Sequence, residues 1–221
     1  METGTGFSFE RAQTCLTENR KQKTENRKQK TENQSKELMK KLLVTGAAGF
    51  IGANFVKYWH QKNTSDEILV LDALTYAGNK ANLSSLEGQD RFTFVKGDIC
   101  DQQLVESLLK KHDIDTVVHF AAESHVDRSI TGPDAFIDTN IVGTHTLLKA
   151  AKKYWLEESE KEQHLFHHVS TDEVYGTLSA DDPAFSETTP YAPNSPYAAS
   201  KASSDHLVRA YHHTYGLKVT T

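Results

Sequence analysis

Thr45-Gly46-Ala47-Ala48-Gly49-Phe50-Ile51-Gly52 joins an apolar run, Leu42–Thr45, to a stretch of helical periodicity, Phe50–Gln61. The glycines follow the spacing GxxGxxG. In a strand–turn–helix setting each has a separate task. Gly46 permits a tight turn, Gly49 lets backbone approach a pyrophosphate, and Gly52 lets the helix pack closely on the strand. The free N–H groups that open the helix, around Phe50 and Ile51, then face the phosphates. Alone the spacing is weak, because glycines are common in turns. Asp72 strengthens it: this residue ends a second apolar run and follows Gly52 by 20 residues. A carboxylate there accepts hydrogen bonds from an adenosine ribose and repels a 2′-phosphate, which favours NAD over NADP. The competing reading of Asp72 is a strand-end cap. Asp98-Ile99, after a third apolar run, is placed either to meet an adenine ring or to make a helix-capping turn.

Working outward, the pattern from Met39 alternates short apolar runs with amphipathic stretches. Strands are expected at Leu42–Thr45, Ile68–Leu71, Phe92–Val95, Thr116–Phe120 and Leu165–Ser170. Helices are expected at Phe50–Gln61, Gln102–Lys111 and Pro133–Lys153, with Pro133 suited to a first turn. A last helix spans Pro196–Tyr215 and stops at Gly216. Strands alternating with helices predict an α/β fold, a Rossmann-type, doubly wound parallel sheet with right-handed crossovers. Leu217–Thr221 reads as the start of another strand, so the sequence is expected to be truncated.

Residues 1–38 differ in kind. Asn19–Glu25 reads NRKQKTE and Asn26–Glu32 repeats it letter for letter. The period of seven invites a coiled coil, but no position from Thr17 to Glu37 is apolar, so no seam can form. Such a stretch cannot offset the entropy of ordering and is expected to be a disordered extension; a tail touching an acidic partner is the alternative. Met39 resembles a conventional start, which suggests an upstream start codon. The organisation read from the sequence is therefore 1–38 as extension and 39–221 as an NAD-binding domain carrying the catalytic residues.

Over the 221 residues the formal net charge is −5, which gives no global basic field for nucleic acid. No apolar run approaches the roughly 18 residues of a membrane span, and the N-terminus lacks a secretory core. Cys15 and Cys100 form no CxxC pair, which fits a reducing, cytoplasmic setting. Of eleven histidines, His164, His167 and His168 flank one strand, whose alternation points the last two to opposite faces. His212 and His213 cannot share a helical face, so no metal site is expected.

Tyr197 and Lys201 lie four apart on the last helix, hence on one face. An ammonium beside a phenol favours the phenolate and lowers its pKa, so Tyr197 can act as a base near neutral pH. An exposed helical pair is the ordinary alternative. Ser170-Thr171-Asp172-Glu173-Val174-Tyr175-Gly176 follows the fifth strand, at the edge where open α/β sheets bind ligands. Two carboxylates and a hydroxyl there suggest acid/base work, one acid and one base; a solvated acidic turn is the alternative.

TGAAGFIG, Asp72, AAESHVDRSI at Ala121–Ile130, STDEVYG and YAASK together resemble the extended short-chain dehydrogenases/reductases. LDALTYAGN at Leu71–Asn79, HVDRSI and the Asp172-Glu173 pair narrow this to the dTDP-glucose 4,6-dehydratases of rhamnose biosynthesis within that family. The resemblance runs from about Met39 to Thr221. It implies an internal redox cycle. Tyr197 takes the proton of the sugar 4-hydroxyl as hydride passes from C4 to NAD; Glu173 removes the C5 proton; Asp172 protonates the departing C6 hydroxyl; hydride returns to C6. By the same resemblance Thr171 bonds the 4-oxygen, Lys201 holds the nicotinamide ribose and Ser124 touches substrate. Leu74, Thr75, Phe120, Ala121, Ala122, Glu123 and Thr139 line the cofactor site. Family members continue into a C-terminal substrate domain that grips the nucleotide, so the chain is read as truncated before that domain. They pair as homodimers through helices matching Pro133–Lys153 and Pro196–Tyr215. Two other readings stand beside this one: a nucleotide-sugar 4-epimerase, against which the acidic pair argues, and a non-catalytic NAD-binding fragment.

Overall fold

The structure, a computed structural model, describes residues 39–221; the expected extension, its duplicated heptapeptide and the upstream start lie outside the described residues. Six strands form one parallel sheet: β1 (Lys41–Thr45), β2 (Glu67–Asp72), β3 (Phe92–Lys96), β4 (Thr116–His119), β5 (Leu165–His168) and β6 (Val219–Thr220). Their order is β3-β2-β1-β4-β5-β6. The order reverses at β1, and this switch point opens a crevice between β1 and β4 at their carboxyl ends. The expected doubly wound parallel sheet is thus present.

Strand alternation explains why the runs are apolar throughout. Leu42 and Val44 of β1, with Ile68 and Val70 of β2, pack on α1 (Phe50–Lys62) and a 3₁₀ segment at Lys80–Leu86, against Val56 and Leu83. Leu43, Leu69 and Leu71 face the other way, onto α2 (Gln102–Lys111), α4 (residues 134–158) and α5 (Pro196–Tyr215). A strand buried on both faces has no polar side to show. The second core centres on Trp155, fully buried, whose Nε1–H donates to the Ile114 carbonyl at 2.7 Å.

The helix ends follow local rules. Asp101 caps α2, accepting from the Leu104 N–H. Ser195 caps α5, accepting from the Ala198 N–H; Pro196 opens it, and Gly216, at φ +77°, closes it in the left-handed region. The helix expected at Pro133–Lys153 runs instead over residues 134–158, with wider π-type turns at Ile137–Gly143 and Lys153–Glu158. A short helix, α3 (Val126–Thr131), was not expected, because HVDRSI shows no apolar stripe. β4 and β5 end at His119 and His168, short of the expected Phe120 and Ser170, because the chain leaves the ladder there to enter the crevice.

A polar row crosses the sheet just below that crevice. Thr45, His119 and His168 are register partners on β1, β4 and β5. His119 is fully buried between the Thr45 hydroxyl (2.7 Å from Nδ1) and the Thr144 hydroxyl (2.9 Å from Nε2). Burial holds the pKa of His119 well below 6.5, and burial also lowers that of His168. Burial therefore favours the neutral imidazole at both positions, most strongly at His119. An unfolded chain takes up a proton at His119 below pH 6.5 that the folded protein resists, so stability falls with acidification by up to about 1.4 kcal/mol per pH unit through this imidazole, and His168 acts in the same direction. A His119→Gln protein, which keeps hydrogen-bonding capacity without titrating, should lose less thermal stability below pH 6.5 than the parent. Equal acid sensitivity would show that His119 does not drive the loss.

Candidate active site

The loops after β1, β2, β4 and β5 meet at the crevice. Gly46 sits at φ +69°, and a Cβ on it would lie 2.5 Å from the Ala121 nitrogen. A Cβ on Gly52 would lie 2.5 Å from the Gly46 carbonyl oxygen, so α1 closes onto the loop backbone itself. Gly49 is less crowded: the nearest atoms to its Cβ position are the Gly46 oxygen at 3.3 Å and the Ala77 oxygen at 3.9 Å. Among the described residues no side chain caps α1 and no acidic residue lies in its first turn. Phe50 and Ile51 are 83% and 65% exposed there. A bare, dipolar helix start behind a glycine cradle fits a pyrophosphate.

Asp72 is buried, and both its oxygens are engaged. Oδ2 accepts from the Ala48 N–H at 2.8 Å and Oδ1 from the Leu74 N–H at 2.8 Å. The Ala48 carbonyl accepts from the Asn79 N–H and from Asn82 Nδ2 at 3.0 and 2.9 Å. Asp72 is therefore the tie between the glycine loop and residues 74–82, and the cap reading is realised. A carboxylate offers about four lone-pair directions, so capacity remains for a ribose hydroxyl. Removing the side chain in Asp72→Ala strands two backbone N–H groups, each costing about 1–3 kcal/mol. Denaturant titration should show that loss even without ligand; an unchanged midpoint would contradict the tie.

Of the other residues expected at the cofactor, Leu74 holds a left-handed backbone at φ +55° and Thr75 is exposed. Tyr76 and Arg128 stack across the gap, guanidinium to ring centroid 4.0 Å, joining the β2 loop to α3. Asp98 is exposed, and its Oδ1 caps the turn by accepting from the Cys100 N–H at 2.8 Å. Ile99 departs from expectation: its side chain is buried against Gly143 on α4 rather than turned to the crevice. Phe120 packs on Phe55 with centroids 5.2 Å apart. Ala121, Ala122 and Glu123 are half-buried along the crevice, as is Thr139 on α4, and Ser124 is exposed.

Asn140 is a residue the sequence reading missed. Its Oδ1 accepts from the Glu123 N–H at 2.8 Å, and its Nδ2 donates to the Glu123 carbonyl and the Ser200 hydroxyl at 2.9 and 2.8 Å. It sits on the first π-type stretch of α4 and pins the β4 loop to α5. No local pattern marks it, since its partners lie 17 and 60 residues away.

Thr171 caps a 3₁₀ turn at Asp172–Tyr175, its hydroxyl accepting from the Glu173 N–H. Asp172 is exposed and Glu173 half-buried. This turn faces the N-terminal part of α5, where Tyr197 is 8% exposed. The expected effect of Lys201 on Tyr197 is corrected here. Burial raises the Tyr197 pKa above 10.0, and the Glu173 and Asp172 charges add to the rise; the Thr171 hydroxyl beside the phenol acts the other way. The Lys201 ammonium points elsewhere, donating to the Val169 carbonyl at 2.7 Å, and burial brings its own pKa down to about 8. The protein without ligands therefore favours a neutral phenol at Tyr197, with the buried Lys201 ammonium directed to the Val169 carbonyl. Among the described residues no group of three or more His, Cys, Asp or Glu could hold a metal ion, and no helix is long and apolar enough to cross a membrane.

A doubly wound parallel sheet with a Tyr-x-x-x-Lys helix and an acidic turn at its carboxyl edge defines a short-chain dehydrogenase/reductase type of protein. Residues 43–221 match the family model described as GDP-mannose 4,6 dehydratase, and the chain belongs to that family. It is 60% identical over 185 residues to a dTDP-glucose 4,6-dehydratase of Xanthomonas campestris pv. campestris (strain B100), covering 83% of this chain and 52% of that protein. The fold superimposes, with a TM-score of 0.72 and 50% identity, on the dTDP-glucose 4,6-dehydratase DesIV of Streptomyces venezuelae with NAD and TYD bound. That match covers 81% of this chain and 53% of the other. The UDP-Glc/GlcNAc 4-epimerase of Campylobacter jejuni matches at a TM-score of 0.70 but 30% identity, over 80% of this chain and 50% of the other. The chain spans about half the length of the curated relatives it matches.

Proposed function

We propose that this chain carries the cofactor site and catalytic residues of a nucleotide-sugar 4,6-dehydratase, converting dTDP-glucose to dTDP-4-keto-6-deoxyglucose with NAD. The observation that carries the reading is the Asp172-Glu173 turn, capped by Thr171 and set beside Tyr197. An oxidoreductase or epimerase of this fold needs the phenol; eliminating water needs, in addition, one group to take a proton and one to give it.

The residues present fit the cofactor: an uncapped helix start, a glycine cradle at Gly46, Gly49 and Gly52, and a buried carboxylate at Asp72. Residues 46–52 would hold the pyrophosphate, Asp72, Leu74 and Thr75 the adenosine ribose, Asp98 with the Ile99 backbone the adenine, and residues 120–123 with Thr139 the remainder. Bound there, NAD supplies a two-electron acceptor that is restored within each turnover. Tyr197 takes the 4-hydroxyl proton, and Thr171 donates to the 4-oxygen. Lys201, a cation held within the protein, favours negative charge on that phenolate once the Val169 bond is shared with a nicotinamide ribose. The ketone at C4 acidifies C5, whose proton goes to Glu173. Asp172 delivers a proton to the C6 oxygen, and water leaves. Ser124 lines the sugar side.

The identity to dehydratases supports this reading over the epimerase one. A homodimer through α4 and α5 accompanies it, with Ile137, Val142 and Tyr215 the exposed apolar side chains on those helices, and cytoplasmic residence fits the few cysteines. Incubation with dTDP-glucose and NAD tests the proposal. A 4-keto-6-deoxy sugar supports it, a C4 epimer selects the alternative, and cofactor binding with no product marks a non-catalytic fragment.

A further inference from the structure

The Tyr197–Lys201 pair and the Thr171–Glu173 turn come from elements 26 residues apart in sequence, and something must fix their spacing. Asp205 lies one turn after Lys201 on α5 and is buried. Its Oδ2 accepts from the Ser170 hydroxyl at 2.6 Å and from the Tyr191 hydroxyl at 3.0 Å. Its Oδ1 lies 3.1 Å from Nε2 of fully buried His168, off the line of a good hydrogen bond. Lys201 donates to the Val169 carbonyl between these two contacts. Two consecutive residues, Val169 and Ser170, are thus fastened to α5 by Lys201 and Asp205, and His168 before them lies against the Asp205 carboxylate. The next residue is Thr171. The second strap arrives from the far side. Tyr191 packs on Tyr175 with centroids 5.4 Å apart, and the Ala192 N–H donates to the Val174 carbonyl at 2.9 Å. Asp205 therefore grips both ends of the turn that carries Asp172 and Glu173.

We propose that Asp205 is a positioning residue, which through Ser170 and Tyr191 sets the placement of the acid/base turn against Tyr197 and Lys201. This rests on the dehydratase reading for its consequence, though not for its geometry. Asp205 touches no reacting atom. Its neighbours hold its carboxyl below the usual range in spite of burial, which favours the anion that accepts from Ser170 and Tyr191. An amide at that position accepts fewer and adds a donor facing the hydroxyls. A catalytic group displaced by about 1 Å can cost about 10²-fold in rate.

The experiment compares Asp205→Asn, Ser170→Ala and Tyr191→Phe with the parent chain by two readouts. Backbone hydrogen exchange needs no substrate. Residues 169–175 should exchange about five- to ten-fold faster in each variant, the effect of losing about one hydrogen bond, with β1–β3 unchanged. With dTDP-glucose, kcat should fall about 10- to 100-fold while KM and NAD affinity hold. Unchanged exchange at residues 169–175 overturns the proposal whatever the activity. So does faster exchange spread evenly over the sheet, or a fall in NAD affinity that matches the fall in kcat, since both mark a general scaffold role. Should Asp205→Asn fail to fold, Ser170→Ala and Tyr191→Phe each remove a single bond and decide alone. A parent chain that makes no 4-keto-6-deoxy sugar rejects the dehydratase reading, and exchange still judges the positioning role.

Discussion

A Glu173→Gln protein should oxidise the sugar at C4 and then stall, losing about 10²–10⁴ in the rate of water elimination. Glutamine has the shape of glutamate, and the Glu173 N–H keeps its bond to the Thr171 hydroxyl at 3.3 Å, so the turn stays in place. What disappears is a group able to take the C5 proton. Solvent deuterium should no longer wash into C5, while the absorbance of reduced nicotinamide rises and persists. A second effect separates this from a folding defect. The Glu173 charge is one of the causes that raise the Tyr197 pKa. Removing it favours the phenolate, so the alkaline rise in C4 oxidation should move to lower pH. Asp172→Asn should slow the same elimination through loss of the acid, while leaving C5 exchange. Full elimination by Glu173→Gln would refute the assigned base.

The centre of the sheet was legible because β1, β2 and β4 are buried on both faces, and short unbroken apolar runs such as Leu42–Val44 and Ile68–Leu71 mark such strands. The glycine loop was legible because Gly46 and Gly52 meet backbone at 2.5 Å, which leaves no room for another residue. α5 carried its own punctuation in Ser195, Pro196 and Gly216. The residues that escaped notice bind across long sequence distances. Asn140 reaches Glu123 and Ser200, and Asp205 reaches Ser170 and Tyr191, so neither leaves a local pattern. Asp72 was read both for its ligand and as a strand-end cap, but its partners were not legible: its two bonds are to Ala48, 24 residues back, and to Leu74. The Tyr197–Lys201 spacing gave a shared helical face correctly. It could not say that burial outweighs the ammonium, since burial depends on everything packed around the phenol.

That burial makes Lys201 the site's largest conflict between stability and activity. A fall in its pKa from 10.5 to about 8 corresponds to about 3 kcal/mol spent on holding a proton in the folded interior at neutral pH. Lys201→Met removes that cost and keeps the apolar stem. It also leaves the Val169 carbonyl without its 2.7 Å donor, a loss of about 1–3 kcal/mol for a buried acceptor. The two nearly cancel, so the variant should unfold within about 2 kcal/mol of the parent at pH 7, in either direction. Turnover should nonetheless fall by about 10²-fold or more, because the proposed site loses the cation that would favour the Tyr197 phenolate once ligand shares the Val169 bond. The sign of the pH dependence separates the parent from the variant. Between pH 8 and 10 the unfolded parent holds a proton on Lys201 that the folded parent has released, so parent stability rises with pH through that window. Above pH 10 the raised phenols of Tyr154, Tyr191, Tyr197 and Tyr211 oppose it, since they stay protonated folded and ionise unfolded. Lys201→Met should lack the rise between pH 8 and 10 and keep the loss above it. Calorimetry across pH 7 to 11 reads both. A parent whose stability is flat or falls between pH 8 and 10, while the variant matches it, would mean that Lys201 is not buried as a strained cation, and that its role must come from contact with ligand alone.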